Sequence, residues 1–341
     1  MDTQDKLLKY LKEKGSASGT ELSDFLGISR QAVNRHIKKL VQIGQVIKEG
    51  TTKGTLYKIA SPGKKIKLLK RFRKTYFLQG LEEHTVFKEV DLLLNLRKYL
   101  KNNVYHIIHY AFTEILNNAI EHSQSEKCFV EITLDQYRCS FEIRDYGIGI
   151  FYSIFTKFEL PDENAAIGEL IKGKTTTMQE KHTGEGVFFT SKAGDIVSFR
   201  SHKINLVFDN IRKDVYVEEK KFIKGTKVNF KISRHSKTTL DEIFEQYAPE
   251  EFEYKFEKTK VYVKLFQPEY ISRSEARRLL SGLSKFKEVT LDFKGVKSIG
   301  QGFADEIFRV FKEEYPDIVI KIQNLSPSLK PMIEHVVDNK I

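Results

Sequence analysis

Cysteine is scarce in this chain. Of 341 residues only Cys128 and Cys139 are cysteine, with no His or Cys cluster beside either, which excludes a zinc site. Both lie in apolar, strand-like runs and read as reduced, partly buried thiols. Long apolar runs are missing too. None approaches the roughly 18–20 residues that a membrane span needs, so no membrane partner is expected. The opening Met1-Asp-Thr-Gln-Asp lacks the basic-then-apolar pattern of a secretory leader, which points to the cytoplasm. Beyond Lys74 any surplus of positive charge is missing as well. Residues 1–74 hold 14 Lys and 4 Arg against 6 acidic residues, a net of +12 in a chain of net +11, so the other 267 residues sum to −1. The basic character is local and needs a local explanation.

What is present argues for real cores. Apolar residues make up 40% of the chain, with 25 Phe and 15 Tyr, which excludes global disorder, and the length predicts two or three domains.

Residues 4–14 alternate apolar and charged at helical spacing and stop at Gly15. Thr20 is placed to cap a short helix, Glu21–Leu26, ended by Gly27. Ser29 is placed to cap a third helix from Arg30 to about Ile43, with Val33, Ile37 and Leu40 as its inner stripe. Gln45–Lys48 and Thr55–Ile59 around a Gly50–Gly54 turn read as a β-hairpin. Three helices and a hairpin resemble a winged helix-turn-helix domain. That resemblance implies double-stranded DNA as partner, with Arg30, Gln31, Asn34, Arg35 and Lys38 of the third helix facing it and Lys53 of the wing on a phosphate. Gln and Asn suit adenine edges, Arg suits guanine, and Lys suits phosphate. The paired half-sites that such domains usually read imply a homodimer. After Pro62-Gly63, the stretch through Lys74 reads as a basic amphipathic linker, either an extension of the DNA footprint or a solvated connector.

The middle of the chain mixes helices (Val90–Leu100, Val104–His122) with alternating strands (Cys128–Leu134, Arg138–Arg144, Ile196–Arg200, Lys203–Phe208, Lys227–Ile232), the pattern of an α+β domain. Glu114 and Asn118 share one helix face and could hold a water and a hard cation side by side. Then follow Asp145-Tyr-Gly147-Ile-Gly149, Gly184-Glu-Gly186 and Gly225-Thr226. In that order these motifs closely resemble the GHKL ATPase superfamily of gyrase B subunits, large heat-shock chaperones, sensor histidine kinases and anti-sigma-factor kinases. The resemblance implies ATP and Mg²⁺ as cofactors. Asn118 would hold Mg²⁺, and Glu114 would act as general base on water or on an acceptor hydroxyl. Asp145 would accept the adenine amine, with Thr226 backing it through water. Gly147 and Gly149 would let the backbone close on the nucleotide. Gly184 and Gly186 would open a phosphate-binding helix, Val187–Ala193. Phe151–His182 would be the lid, offering Lys172, Lys174 and Thr175 to the γ-phosphate. A two-component histidine kinase is disfavoured, because His84, His106 and His109 lack the surroundings of a phosphoacceptor. A nucleic-acid-coupled motor would need a transducer domain, which the chain lacks.

After a linker helix near Thr239–Tyr247, strands and helices alternate to the end, the pattern of a small α/β sheet. Leu291–Ile307 resembles the STAS fold of anti-sigma-factor antagonists, and more closely STAS-like domains of unassigned function. Where the phosphorylated antagonists carry a loop serine this chain has Gly300-Gln301-Gly302, with Ser298 nearby. A protein-interaction module is expected. The fold expected is therefore multi-domain α+β: a winged helix-turn-helix (1–62), a basic linker (63–80), a GHKL-type α/β sandwich that binds ATP (81–235), a linker helix (236–256) and a STAS-like α/β domain (257–341). The function expected is a DNA-binding regulator controlled by Mg·ATP. The alternative is a serine/threonine kinase of the anti-sigma type acting on a STAS-like partner.

Overall fold

A computed structural model of the chain describes residues 2–42, 45–49, 55–59, 68–160, 162–173, 185–249, 256–265, 269–270 and 272–338. Among these no helix is long and apolar enough to cross a membrane. Lys53, Lys174, Thr175 and Gly184 lie outside the described residues.

The N-terminal unit runs α1 (Thr3–Lys14), β1 (Ala17–Ser18), α2 (Gly19–Leu26), α3 (Arg30–Gln42), β2 (Val46–Glu49) and β3 (Leu56–Ile59). Its core gathers Leu7, Leu11, Leu22, Val33, Ile37 and Leu40, the inner stripes of the three helices. Ser18, not Thr20, caps α2: its hydroxyl accepts from the Glu21 amide while the Glu21 side chain accepts from the Ser18 amide, a reciprocal capping box. Ser29 caps α3 as expected, accepting from the Ala32 amide at 3.3 Å. β2 and β3 pair antiparallel as the hairpin, and β1 adds a third short strand beside β3.

Residues 68–80 are not a linker. Leu68–Phe77 forms a ten-residue strand, β4, the edge of a five-stranded antiparallel sheet. Then come α4 (Glu83–Leu94), α5 (Leu96–Tyr99), α6 (Asn102–His122), β5 (Lys127–Asp135), β6 (Arg138–Asp145), α7 (Ile150–Lys157), α8 (Glu163–Lys172), α9 (Gly186–Ala193), β7 (Ile196–Asp209), β8 (Asp214–Ser233) and α10 (Leu240–Tyr247). The sheet order is β4-β5-β6-β8-β7, with α4, α6 and α9 packed on one face. Strict alternation of burial along β5 and β6 marks a sheet with one covered and one open face. Two strands expected at 196–200 and 203–208 are one, β7, and its partner β8 begins 13 residues before the strand expected at Lys227. The helix expected to start at Val90 starts at Glu83, which places His84 in its first turn.

The C-terminal unit comprises β9 (Lys258–Tyr262), β10 (Glu269–Tyr270), α11 (Arg273–Leu280), β11 (Glu288–Asp292), β12 (Ser298–Ile299), α12 (Gln301–Asp305), α13 (Phe311–Glu314), β13 (Val319–Gln323) and α14 (Lys330–Asp338). β9 and β13 flank β11 in parallel, and β12 pairs with β10 in parallel. A π-helical stretch, Glu306–Val310, joins α12 to α13. The buried residues of this unit and of the central one form a single continuous cluster, while those of the N-terminal unit form another. Thr259 and Ser281 reach across to Lys172 at the end of α8.

Candidate functional site

The central unit encloses a cavity of about 540 Å³, within the size range of cofactor sites. Its wall is assembled from separate segments, with Glu114 and Asn118 from α6, Asp145 from the end of β6, Gly149, Gly186 at the start of α9, and Thr226 from β8. α6 reaches the cavity because Ile107, Ala111, Phe112 and Leu116 bury its opposite stripe in the core.

The polar end of the cavity is held by short backbone contacts. The Asp145 side chain is 5% exposed. Its Oδ1 accepts from the Gly147 amide at 2.9 Å and from the Thr226 amide at 3.0 Å. Burial pushes this carboxyl above its ordinary value, against the pull of those two amides. A carboxylate offers about four acceptor positions, so further donors can be taken. Thr226 meets Asp145 through its backbone, not through water alone, and its hydroxyl accepts from the Ile150 amide at 2.9 Å. Gly225 has φ +78°, and a Cβ there would stand 2.4 Å from the Asp145 carbonyl oxygen. Only glycine lets β8 pass so close to the end of β6.

The other end is acidic. Glu114 and Glu185 face Tyr110, whose hydroxyl is driven above its ordinary value by burial and then by those two charges. Among the described lining residues there is no Lys or Arg; His122 is the basic group present.

Gly147 lines no part of the cavity directly. It sets the turn that aims Asp145, packed against the Ser123 carbonyl. The expected lid is largely something else. α7 and α8 bury Phe151, Ile154, Ile167 and Leu170 in the core. Lys172 is not available to a phosphate: it is 1% exposed, and its ammonium donates to Glu169 at 2.7 Å and to the Ser281 carbonyl at 2.6 Å. Tyr110, Asn117 and His122 escaped the sequence reading, although the α6 periodicity that selects Glu114 and Asn118 places them on neighbouring faces. Phe244 and Ala248 also line the cavity. They belong to α10 and its C-cap, within the segment expected to be a linker, and nothing local in the sequence marks them.

On α3, Gln31, Asn34, Arg35 and Lys38 are all exposed at positions i, i+3, i+4 and i+7, a single face. Arg30, one residue earlier, is exposed and donates to Thr20 Oγ1 at 2.5 Å. The face opposite carries Val33, Ile37 and Leu40.

Two family models match the chain. One is a winged helix-turn-helix DNA-binding domain, over residues 1–47. The other is a STAS-like domain of unknown function, over residues 275–330. No curated protein matches it. The chain thus joins a DNA-binding winged helix-turn-helix domain to a STAS-like domain within a mixed α+β architecture, the composition of a regulator.

Proposed function

We propose that the chain is a DNA-binding regulator whose central cavity takes Mg·ATP, with occupancy governing the winged-helix and STAS-like domains. The observation that carries this reading is the convergence of Asp145, Thr226, Glu114, Asn118 and Gly186, from four separate segments, on one cavity of about 540 Å³. The residues fit the group. Asp145, fixed by two amides, suits an exocyclic amine, and Ile115, Ile143 and Val228 supply apolar walls for a base. At the other end Glu114 and Glu185 would repel a bare polyphosphate. A divalent cation removes that repulsion, and Mg²⁺ takes a few protein oxygens together with phosphates and several waters. Asn118 would supply that oxygen, and Glu114 would take the proton of an attacking water or hydroxyl. Gly186 would offer the amide end of α9 to a phosphate.

The route outward is covalent. Phe244 of α10 and Ala248, its C-cap, form part of the cavity wall, and the chain runs on from α10 to β9 of the STAS-like unit. A ligand that draws on this wall binds the two dispositions of that unit unequally, as any switch requires. The test is calorimetric titration of the full chain with Mg·ATP and Mg·GTP, followed by duplex-DNA binding with and without the nucleotide that binds. Micromolar ATP affinity with a changed DNA affinity supports the reading. No ATP binding, or binding with no effect on DNA, sinks it.

A further inference from the structure

The central sheet uses one face for the core, and its other face is open and cationic. Residues 75–341 carry almost no net charge, so a cluster of one sign here is a concentration and not a background. Pairing of β6 with β8 sets Arg144 opposite Lys227, and pairing of β8 with β7 sets Lys227 opposite Arg200. Three cations thus stand in a row across three adjacent strands, about 5 Å from strand to strand. Two steps along, past Asn229, Lys231 projects on the same side of β8, close enough to Arg138 that the guanidinium adds to burial in lowering its pKa.

The carboxylates in the central rows are already engaged. Glu131 takes Arg71 at 2.8 Å and Arg73 at 2.7 Å, and Glu142 takes Lys227 at 2.6 Å. Among the described residues, Arg144, Arg200 and Lys231 have no carboxylate in ion-pair range. Arg200 donates to the Lys221 carbonyl at 2.7 Å, and Arg144 lies over the Tyr146 ring at 4.8 Å, so neither charge is neutralised, whereas Arg138 stands 3.4 Å from Asp135. Like charges set opposite one another on neighbouring strands destabilise a sheet, and a polyanion laid on the face relieves that repulsion.

Chain geometry favours DNA. Ile59 ends the hairpin of the DNA-binding unit, and Leu68, nine residues on, begins β4 at the edge of this sheet. Nine residues span at most about 30 Å, less than one turn of B-DNA at about 34 Å. The Arg144–Lys227–Arg200 row lies toward the other end of the sheet from Leu68, six residues along the strands by register and so about 20 Å away; a duplex held by α3 can span that distance, and tethering makes the second contact intramolecular. The row from Arg144 to Arg200 spans about 10 Å, which faces several phosphates at one charge per roughly 1.7 Å of helix axis.

We propose that the open face of the central sheet is a second, sequence-independent contact to the DNA backbone, engaged while the winged domain holds its site. It rests on the DNA-binding reading of the N-terminal unit and is independent of the nucleotide. The test measures binding of the full chain to a labelled 40-base-pair duplex across a salt series. The neutral variant Arg144→Gln/Arg200→Gln/Lys231→Gln should lower the slope of log K against log salt by about 2–3, at roughly 0.9 per phosphate contact. Its affinity at low salt should fall by at least about tenfold. The charge-keeping variant Arg144→Lys/Arg200→Lys/Lys231→Arg should retain the slope, which separates charge from folding. A neutral variant with the wild-type slope overturns the inference, as does a loss seen only with anionic phospholipid vesicles or polyglutamate. A wild-type chain that binds no duplex would instead remove the DNA-binding reading itself.

Discussion

The carboxylate of Glu114 occupies the space that a side chain on Gly186 would need: a Cβ built on Gly186 would stand 1.8 Å from Glu114 Oε2. One residue sits on α6 and the other opens α9, so this contact fixes the acid against a helix N-terminus. The obstructing atom is the end of a flexible side chain, so Gly186→Ala should fold. Alanine even gains up to about 1 kcal/mol over glycine in a helix. The carboxylate, however, must swing away. Nucleotide affinity should stay within about tenfold while phosphate release falls to the level of Glu114→Ala, since a misplaced base loses 10²–10⁴-fold, roughly. Calorimetry and single-turnover phosphate release check both halves. Wild-type turnover in Gly186→Ala would remove Glu114 from the role of base.

Gly147 poses the opposite case. Its Cβ would lie 1.7 Å from the Ser123 carbonyl oxygen and 2.6 Å from the carbonyl carbon, both backbone, and that same oxygen accepts from the Ile148 amide. Neither can rotate away. Gly147→Ala should cost about 3 kcal/mol, the upper end of overpacking penalties. It should appear as a lower denaturation midpoint at unchanged slope, accompanied by loss of nucleotide binding as Asp145 is re-aimed.

The two substitutions also show what a sequence can and cannot disclose. Glu114, Asn118 and Asp145 were legible because each sits at a fixed step of a regular element, a helix face or a strand end before glycines. β4 was not. Phe72 and Tyr76 are buried while Arg71 and Arg73 point outward, and a cationic open face makes a strand read as a basic linker. The spacing of the glycine motifs assigns 151–182 to a lid and so hides α7 and α8. Yet Asp162 caps α8 by accepting from the Ala165 amide, ahead of the buried stripe Ala166, Ile167, Leu170 and Ile171. The seat of Lys172 depends on Thr259 and Ser281, about a hundred residues away in the chain. No local pattern carries that.

Asp145→Asn should fold well. Burial already disfavours the charge at this position, and the amide oxygen can still accept from the Gly147 and Thr226 amides. What is lost is acceptor capacity toward a ligand, replaced by a donor. ATP affinity should drop by about 10–100-fold, the worth of one charge-assisted hydrogen bond, while thermal stability stays within about 1 kcal/mol. Retained ATP affinity in calorimetry would sink the adenine assignment.

Lys192 offers a pH test. Its ammonium nitrogen is buried with no hydrogen-bond partner, ringed by Phe188, Phe208, Tyr247 and Tyr262 at 4.9–5.9 Å. Burial first, and then the charge of Lys260, pushes its pKa down to about 7. The four rings work against burial, each desolvated contact favouring the charged form by about 2 kcal/mol or more, so the pH dependence of stability shows which effect wins. An unfolded lysine titrates near 10.4, so between about pH 7 and 10 the unfolded chain binds more protons and stability must rise with pH. The slope should approach about 1 kcal/mol per pH unit. Lys192→Met should flatten it and be more stable than wild type at pH 7. Denaturant titrations at pH 7, 8 and 9 decide it: equal slopes in the two proteins would mean that Lys192 stays charged in the fold.

Arg30 and Arg35 test the DNA face of α3. Both are exposed and neither supports the core of the N-terminal unit, so Arg30→Ala/Arg35→Ala should melt as wild type does, apart from the small loss of the Arg30–Thr20 contact. Binding to duplex DNA should weaken, and if both contact phosphate the salt slope should fall by nearly 2. If either reads guanine, discrimination between sequences should relax by about 1–3 kcal/mol per base contact instead, with a smaller change in slope. The two outcomes separate backbone from base recognition within one salt series on matched and scrambled duplexes. Unchanged binding to both would mean that α3 does not face DNA.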